Sequence, residues 1–231
     1  GYMAWRIYEG ERYLEVTGNK PPLIYLTYLI SIMLFGNKIE PIRILNNILF
    51  IISIFFFYKI AKKIDKNSAS YSLILYVVFM NLAVFEGFLA MTESFVVFFS
   101  VLGVYSFFVK NSEFFAGIFS LIATLYKQTG IIISMILFLW ILKDVLEKKV
   151  MFSKFKKILS FLIPYSIFLL GFILDYRIRD LFFRLTSLSI KYLSSPMYIH
   201  QAYILLILFE GLPLFFLFVF GFFYWLKEKR D

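Results

Sequence analysis

The sequence contains no cysteine and a single histidine among its 231 residues. The absence of thiols excludes disulfide bonds and thiolate metal sites. His200 has no second histidine to complete a metal site, so we interpret it as a loop or interface residue. A Gly-rich phosphate loop, a nucleophile elbow and a zinc motif are also missing. We therefore predict no enzyme class that depends on those motifs.

Apolar residues, in contrast, make up 61% of the chain, and 22% of it is aromatic. A soluble single-core domain of this length does not need so much apolar surface, which indicates an integral membrane protein. The net charge of +9 would suggest nucleic acid in a soluble protein. Here basic cytoplasmic loops explain it better, so we predict a multi-pass protein of the cell membrane without a nucleic-acid partner.

Hydropathy predicts an all-α polytopic bundle of about six to seven spanning helices. The apolar runs cover residues 42–60, 71–85, 95–109, 114–126, 131–142, 158–174 and 202–226. We predict a single transmembrane domain over residues 1–231, with an outer loop at 1–41 and a helix bundle at 42–231. Two of these runs are short and are hinged at Lys127-Gln128-Thr129-Gly130, which suggests a tilted helix pair meeting at a membrane surface.

The outer loop is predicted to hold two interfacial segments. Residues 1–19 mix Trp and Tyr with charged residues, which is typical of an amphipathic surface helix, here broken near Gly10. Lys20-Pro21-Pro22 then fixes the approach to an apolar run at 23–35, too short to span a membrane. Because the chain opens on Gly1 without a signal-peptide pattern, we expect a fragment whose first spanning helix lies upstream.

The distribution of charge predicts the topology. Most of the 24 Lys and Arg residues fall in loops at 59–66, 110, 143–157 and 227–230, which the positive-inside rule places in the cytoplasm. The stretch around Lys20, the turn at 86–93, the hinge at Lys127 and the loop at 175–201 then share the outer face.

Two lysines on that face are candidates for phosphate binding. Lys20 and Lys127 each interrupt apolar sequence, and two converging ammonium groups could hold the phosphate of a lipid carrier. The alternative is that each lysine reaches lipid headgroups as an ordinary interfacial residue.

The carboxylates allow both functional and structural interpretations. Glu86 and Glu93 lie in a turn between two spans, and Glu93 also suits the positive end of the helix that follows. Glu9, Glu11 and Glu15 could bind a divalent cation, but they alternate with Arg6 and Arg12, which favours local ion pairs. Glu210, beside Gly211 and Pro213, indicates a locally opened helix or a misplaced span boundary.

In its motifs the sequence resembles the polyprenol-phosphate-sugar-dependent membrane glycosyltransferases. These include the dolichyl-phosphate-mannose protein mannosyltransferases and the aminoarabinose transferase that modifies lipid A. The resemblance covers residues 1–142, and beyond 143 only the hydropathy pattern matches. Its residues are Gly1-Tyr2-Met3-Ala4-Trp5, Gly10, Tyr13, Lys20-Pro21-Pro22-Leu23, Tyr25, Phe35-Gly36, Glu40, Arg43, Glu93, Ala116-Gly117 and Lys127-Gln128-Thr129-Gly130.

The resemblance implies transfer of a sugar from a polyprenyl-phosphate donor to an acceptor hydroxyl at the outer face. Lys20 and Lys127 would bind the donor phosphate, and the candidates to line the cavity are Glu93, Tyr25, Arg43 and Glu86. The family's Asp-Glu pair, whose Asp is the expected base, stands just before the position of Gly1, so no catalytic residue is assigned within this chain. The implied partners are a lipid-linked sugar donor, membrane lipid and an unidentified acceptor. No cofactor is predicted, and a divalent cation is left open.

Two other hypotheses stay open at this stage. A transporter or flippase could also use interrupted helices, although we find no internal repeat between 42–142 and 158–226. An inactive remnant of a glycosyltransferase would also account for the missing acid pair.

Overall fold

The computed structural model describes residues 2–10, 22–81, 92–147 and 151–174, all of which belong to the unit Gly1–Ser189. Within these ranges the secondary structure is helical, as predicted, and contains no strand. The helices are α1 (Tyr2–Tyr8), α2 (Pro22–Phe35), α3 (Glu40–Ile64), α4 (Ala69–Met80), α5 (Thr92–Phe108), α6 (Glu113–Tyr126), α7 (Ile131–Glu147) and α8 (Met151–Leu174). A 3-10 turn, Gln128–Gly130, separates α6 from α7.

Glycines end the two predicted interfacial segments. Gly10 follows α1 with φ +98°, and Gly36 follows α2 with φ +75°. Both values lie in the left-handed region that glycine enters without steric cost. The predicted break near Gly10 is therefore confirmed, and Gly36 marks the turn after α2.

The sequence of α3 supplies its own boundary signals. Glu40 lies in the first turn with Pro41 beside it, and Lys62 and Lys63 lie in the last turn, so charge matches the helix dipole at both ends. Asp65 then accepts hydrogen bonds from the backbone N–H groups of Asn67 (2.9 Å) and Ser68 (3.2 Å). These bonds tighten the turn into α4. A hydrogen bond from the Ser68 hydroxyl, together with these backbone bonds, holds the pKa of the Asp65 carboxyl below its usual range.

α6 is the helix around which the described bundle is built. It packs against α5, α8, α7 and α2. A Cβ added at Gly117 would lie 2.3 Å from the carbonyl oxygen of Phe161, so only glycine permits this contact between α6 and α8. Small residues have this role in membrane helix interfaces, where they let backbones approach closely.

A buried polar network joins α6, α7 and α8. The Tyr165 hydroxyl lies 2.8 Å from Ser120 Oγ and donates to Ser134 Oγ at 2.6 Å. Ser120 also donates to the carbonyl of Gly117 at 3.2 Å. The hydroxyl groups of three helices thereby satisfy one another away from water.

One end of the bundle holds an ion-pair cluster, the Lys157 cluster, formed by Lys157, Asp144 and Glu113. Lys157 at the start of α8 pairs with Asp144 near the end of α7 and with Glu113 at the start of α6, the latter at 3.4 Å. The turn at 110 and the loop at 143–157 therefore meet at the same end, as the charge pattern predicted.

The outward surface of the described helices is strongly apolar. Exposed large side chains on α3, α7 and α8 include Ile44, Ile51, Trp140, Leu159 and Leu170. By length and composition, two stretches within the described ranges are able to cross a membrane, Glu40–Ile64 and Gln128–Val145. Exposed apolar side chains in such number are typical of a surface that contacts lipid or another protein.

The other predicted apolar runs have different outcomes. The runs at 95–109, 114–126 and 158–174 correspond to α5, α6 and α8, whereas α7 continues past 142 to Glu147. α4 ends at Met80, inside the predicted run at 71–85, and residues 82–91 lie outside the described part. The loop predicted at 175–201 and the apolar run predicted at 202–226, with His200 and Glu210, also lie outside it. The number of spans therefore stays a prediction.

Candidate functional site

The ammonium group of Lys127 forms an ion pair with the Glu93 carboxylate. Lys127 directly follows α6, and Glu93 lies in the first turn of α5, so the two predicted site residues meet at the same end of the bundle. Their side chains are 31% and 33% exposed, respectively. The ion pair is therefore partly shielded from solvent, and both side chains remain accessible at the surface of the described helices.

The hinge after α6 positions Lys127. Its backbone is extended (φ −157°, ψ 141°), and its carbonyl accepts a hydrogen bond from Gly130 N–H at 2.8 Å. A Cβ at Gly130 would lie 2.4 Å from the carbonyl of Ala123, so the turn folds back closely onto α6. This contact gives a physical reason for the glycine that follows Lys127 by three residues in the predicted hinge.

Tyr126, the residue before Lys127, is anchored on three sides. Its ring stacks on Phe95 and Phe99 of α5, with centroid distances of 4.9 and 5.4 Å. Its hydroxyl lies 2.8 Å from Oγ1 of Thr27 on α2. Stacking and hydrogen bonding together restrict the backbone that carries Lys127.

The environment of Glu93 keeps its carboxylate charged. Partial burial acts to raise the pKa of Glu93, but hydrogen bonds from Lys127 and Thr92 outweigh it, so the pKa lies below the usual value. The Thr92 hydroxyl donates to Glu93 Oε2 at 2.8 Å. Glu93 is thus an ionised counter-ion to Lys127 at neutral pH. It lies two residues before Phe95, where the apolar run of α5 begins.

The remaining sequence-predicted candidates are spread more widely. Tyr25 is buried in a cluster with Ile24, Ile42, Phe95 and Tyr126. Arg43 is exposed on α3. Burial raises the pKa of the Tyr28 hydroxyl on α2, and the positive charge of Arg43 partly offsets this effect.

Lys20 and Glu86 lie outside the described residues, so their predicted roles stay predictions. Of the three carboxylates considered for a divalent cation, only Glu9 is described, and it is exposed. Across the described ranges, no group of three or more metal-type side chains is close enough to hold a metal ion.

Two cavities adjoin α2, and sequence reasoning did not find them. One, of about 650 Å³, is lined mainly by apolar residues of α2 and α3, and by Thr27 and Tyr126. The other, of about 550 Å³, is lined by residues of α1, α2 and the turn into α3. Ser31 lines both cavities. The only local sequence signal for them is the mixture of aromatic and polar residues between 28 and 40.

These features define a helical protein with an apolar exterior and a charged hinge supported by stacked aromatic rings. A family comparison gives the narrower assignment. Residues 19–173 match the family described as dolichyl-phosphate-mannose-protein mannosyltransferase, and the chain belongs to this family. The protein is therefore placed among integral membrane glycosyltransferases, which confirms the resemblance drawn from its motifs.

The extent of the match differs from that of the motif resemblance. It begins at residue 19, so the motif at Gly1–Tyr13 lies outside it, and it continues through α8, where the sequence offered only hydropathy. Searches of curated proteins and of solved structures returned no significant match.

Proposed function

We propose that this protein transfers a sugar from a polyprenyl-phosphate-linked donor to an acceptor hydroxyl at the outer membrane face. Lys127 binds the donor phosphate, and Glu93 is the counter-ion that holds the ammonium group in place before the donor arrives. Lys20 contributes a second cation to the same phosphate.

The Lys127–Glu93 ion pair is the observation that carries this proposal. A lysine that only reached lipid headgroups would extend into the interface, whereas this one is directed towards a specific carboxylate on α5. An ammonium group has three donors, so it can bind a phosphate oxygen while keeping one bond to Glu93. Membership of the glycosyltransferase family supports a lipid-linked sugar as the phosphate's source.

The chemistry needs a cation where negative charge grows. The bond between the anomeric carbon and the phosphate oxygen breaks, and the acceptor oxygen forms the new bond to that carbon. The departing polyprenyl phosphate gains a negative charge, which a fixed ammonium group stabilises. The acceptor's proton passes to a carboxylate base.

Binding of a polyprenyl monophosphate to the purified protein in nanodiscs tests the phosphate site directly. We expect Lys127→Ala to weaken this binding about tenfold or more, because a charge-assisted hydrogen bond contributes about 1.5–3 kcal/mol. Lys127→Arg should retain most of the affinity, since it keeps the charge.

Lys110→Ala is the matched control because Lys110 is exposed in the turn between α5 and α6, at the opposite end of α6. Its polyprenyl phosphate affinity should equal that of the wild type. Unchanged binding in Lys127→Ala would remove Lys127 from the phosphate site.

A transfer assay with a panel of polyprenyl-phosphate sugars then tests the reaction. We expect Lys20→Ala to lose transfer while its membrane insertion stays normal.

A further inference from the structure

The last turns of α3 carry a group of exposed lysines that the proposed function does not use. Lys59, Lys62 and Lys63 lie within the helix, and Lys66 follows in the turn into α4. Residues three and four positions apart share one face of a helix, so Lys62 and Lys63 lie on the same face as Lys59. These four residues are called the α3 lysines below.

The α3 lysines lie at the end of the bundle away from the hinge. Ile42 at the start of α3 packs in one cluster with Tyr126, the last residue of α6. Ile60 near the end of α3 packs instead with Tyr105, near the end of the helix whose first turn holds Glu93. Most of the length of α3 therefore separates these lysines from the phosphate site proposed at the hinge.

An apolar stripe on the surface of α3 leads directly to the lysines. Its exposed side chains recur every three or four residues on the face that carries Lys59, and they include Ile44, Ile48, Ile51 and Phe55. The buried residues of α3 lie on the opposite face; they are Ile42, Asn46, Ser53 and Ile60. From Ile48 to Lys59 the helix rises about 16 Å, close to half of the hydrocarbon core of about 30 Å. This face thus matches the length and polarity of a phospholipid in one leaflet.

The ammonium group of Lys59 lies at the boundary between the apolar and the basic part. Its Nζ is 4.1 Å from the centroid of the Phe55 ring, one turn earlier in the helix. The attraction between a cation and an aromatic face holds the charge beside the apolar stripe. Three N–H donors on the ammonium group leave it able to bind a phosphate oxygen while it stays over the ring.

The charge of this segment is unbalanced. Asp65 is the only carboxylate between residues 59 and 68, against four lysines. Its oxygens already accept the backbone hydrogen bonds of Asn67 and Ser68. Within the described ranges, no carboxylate forms an ion pair with any of the α3 lysines. The basic surface is therefore complementary to an anion.

We propose that this face of α3 binds one anionic phospholipid, with its phosphate on Lys59 and Lys62 and an acyl chain along Ile48, Ile51 and Phe55. The positive-inside rule predicts the cytoplasmic leaflet for this end, and anionic lipids give that leaflet its negative surface potential. A soluble phosphate would leave the apolar stripe uncovered. A zwitterionic lipid would bring a second cation towards the lysines, so the two parts of the surface together select an anionic lipid.

Native mass spectrometry of the full chain in detergent micelles measures this binding. Dioleoyl phosphatidylglycerol should bind saturably, one molecule to each protein. Dioleoyl phosphatidylcholine, with the same acyl chains, should bind about tenfold more weakly or worse. Glycerol 3-phosphate, which carries the phosphate without the acyl chains, should not displace the phosphatidylglycerol.

A double substitution tests the lysines. Lys59→Gln combined with Lys62→Gln should weaken phosphatidylglycerol binding about tenfold to thirtyfold, because two charges are lost. Both side chains are exposed, so the melting temperature without added lipid should stay unchanged. Lys110→Gln combined with Lys156→Gln is the matched control, since it removes the same charge from exposed lysines at the same end of the bundle.

Two further variants test the geometry. Lys59→Arg combined with Lys62→Arg keeps the charge and should retain most of the affinity. Phe55→Leu keeps an apolar side chain but removes the ring beneath the Lys59 ammonium group. We expect it to weaken phosphatidylglycerol binding about twofold to fivefold.

Each outcome decides the proposal. A preference for phosphatidylglycerol that the Lys59 and Lys62 double variant loses and the control retains supports it. Equal loss in both double variants would show diffuse attraction to a basic surface and overturn it, as would equal binding of the two lipids.

A cross-linking measurement on the wild type does not depend on any substitution. Phosphatidylglycerol with a photoactivatable acyl chain should label the segment 48–55, and labelling confined to other segments contradicts the site. Lys127→Ala should bind phosphatidylglycerol as the wild type does. Failure of the hinge site and failure of the α3 site are therefore distinguishable.

Discussion

Lys127 already carries a carboxylate partner, so an anionic ligand has to compete with Glu93 or share the ammonium group with it. The pair is part-buried, and the Thr92 hydroxyl adds a further bond to the carboxylate. Glu93 therefore orients the lysine and also repels a second negative charge. These two effects can be separated by experiment.

Removing the charge of Glu93 while keeping its shape should favour the phosphate. We expect Glu93→Gln to bind polyprenyl monophosphate a few-fold more tightly, because a like charge beside the ligand is lost. Titration in nanodiscs at low and moderate salt measures this, and the gain should be larger at low salt. Weaker binding in Glu93→Gln would indicate that orientation of Lys127 matters more than repulsion.

The depressed pKa of Glu93 also predicts a pH dependence of stability. A carboxyl group whose pKa is lower in the folded state stabilises fully above its unfolded pKa, which is about 4.3 for glutamate. That contribution is lost as the pH falls through the depressed folded value. We expect the melting temperature of the wild type to exceed that of Glu93→Gln at neutral pH, and the difference to vanish in acid. A constant difference across this range would show that the ion pair does not stabilise the fold.

At the scale of elements, α6 connects the two ends of the bundle. Its first turn holds Glu113, which pairs with Lys157, and its last residue is the anchored Tyr126. Between them, Gly117 lies against the backbone of α8, and Ser120 joins the network with Tyr165 and Ser134. The position of the hinge thus depends on how closely α6 and α8 pack.

Substituting Gly117 should separate these helices. A Cβ placed 2.3 Å from a carbonyl oxygen of α8 requires a backbone shift, so we expect Gly117→Ala to destabilise the protein by about 1–3 kcal/mol. The melting temperature in detergent measures the effect. Gly103→Ala on α5 is the control, because its Cβ would meet neighbours at an ordinary 3.6 Å. Alanine is also the better helix former, so that control should be neutral or slightly stabilising.

At the scale of the whole molecule, the apolar exterior and the separation of charge place the chain across a membrane. The Lys157 cluster and the Lys127–Glu93 pair lie at opposite ends of α6. The positive-inside rule predicts that the first of these ends lies in the cytoplasm, and the hinge would then lie outside.

The lack of cysteine makes this topology simple to test. Gln128 on the hinge and Lys110 in the turn before α6 are both exposed. In intact cells, a membrane-impermeant maleimide should label Gln128→Cys and not Lys110→Cys. Both variants should label once the membrane is permeabilised. Labelling of only Lys110→Cys in intact cells would reverse the orientation and contradict an outward-facing site.

The sequence predicted much of this arrangement because its signals are local. Pro41 and the terminal charges of α3, the glycines at 10 and 36, and the apolar runs each depend on nearby residues only. Charge counting also placed Glu93 and Lys127 on the same side. Their direct contact was not predictable, since it depends on how α5 packs against α6, and hydropathy contains no such information.

By itself the sequence determined a helical membrane protein with an interrupted helix after residue 126, and its motifs indicated the glycosyltransferase family. Composition and periodicity suffice for this because the lipid solvent imposes long apolar helices. Only the tertiary structure decided that Glu93 is the partner of Lys127 and that Gly117 is a contact point for α8. It also decided that the buried Ser31 hydroxyl has no hydrogen-bond partner among the described residues. These facts depend on distances between residues far apart in the chain, which are set by packing.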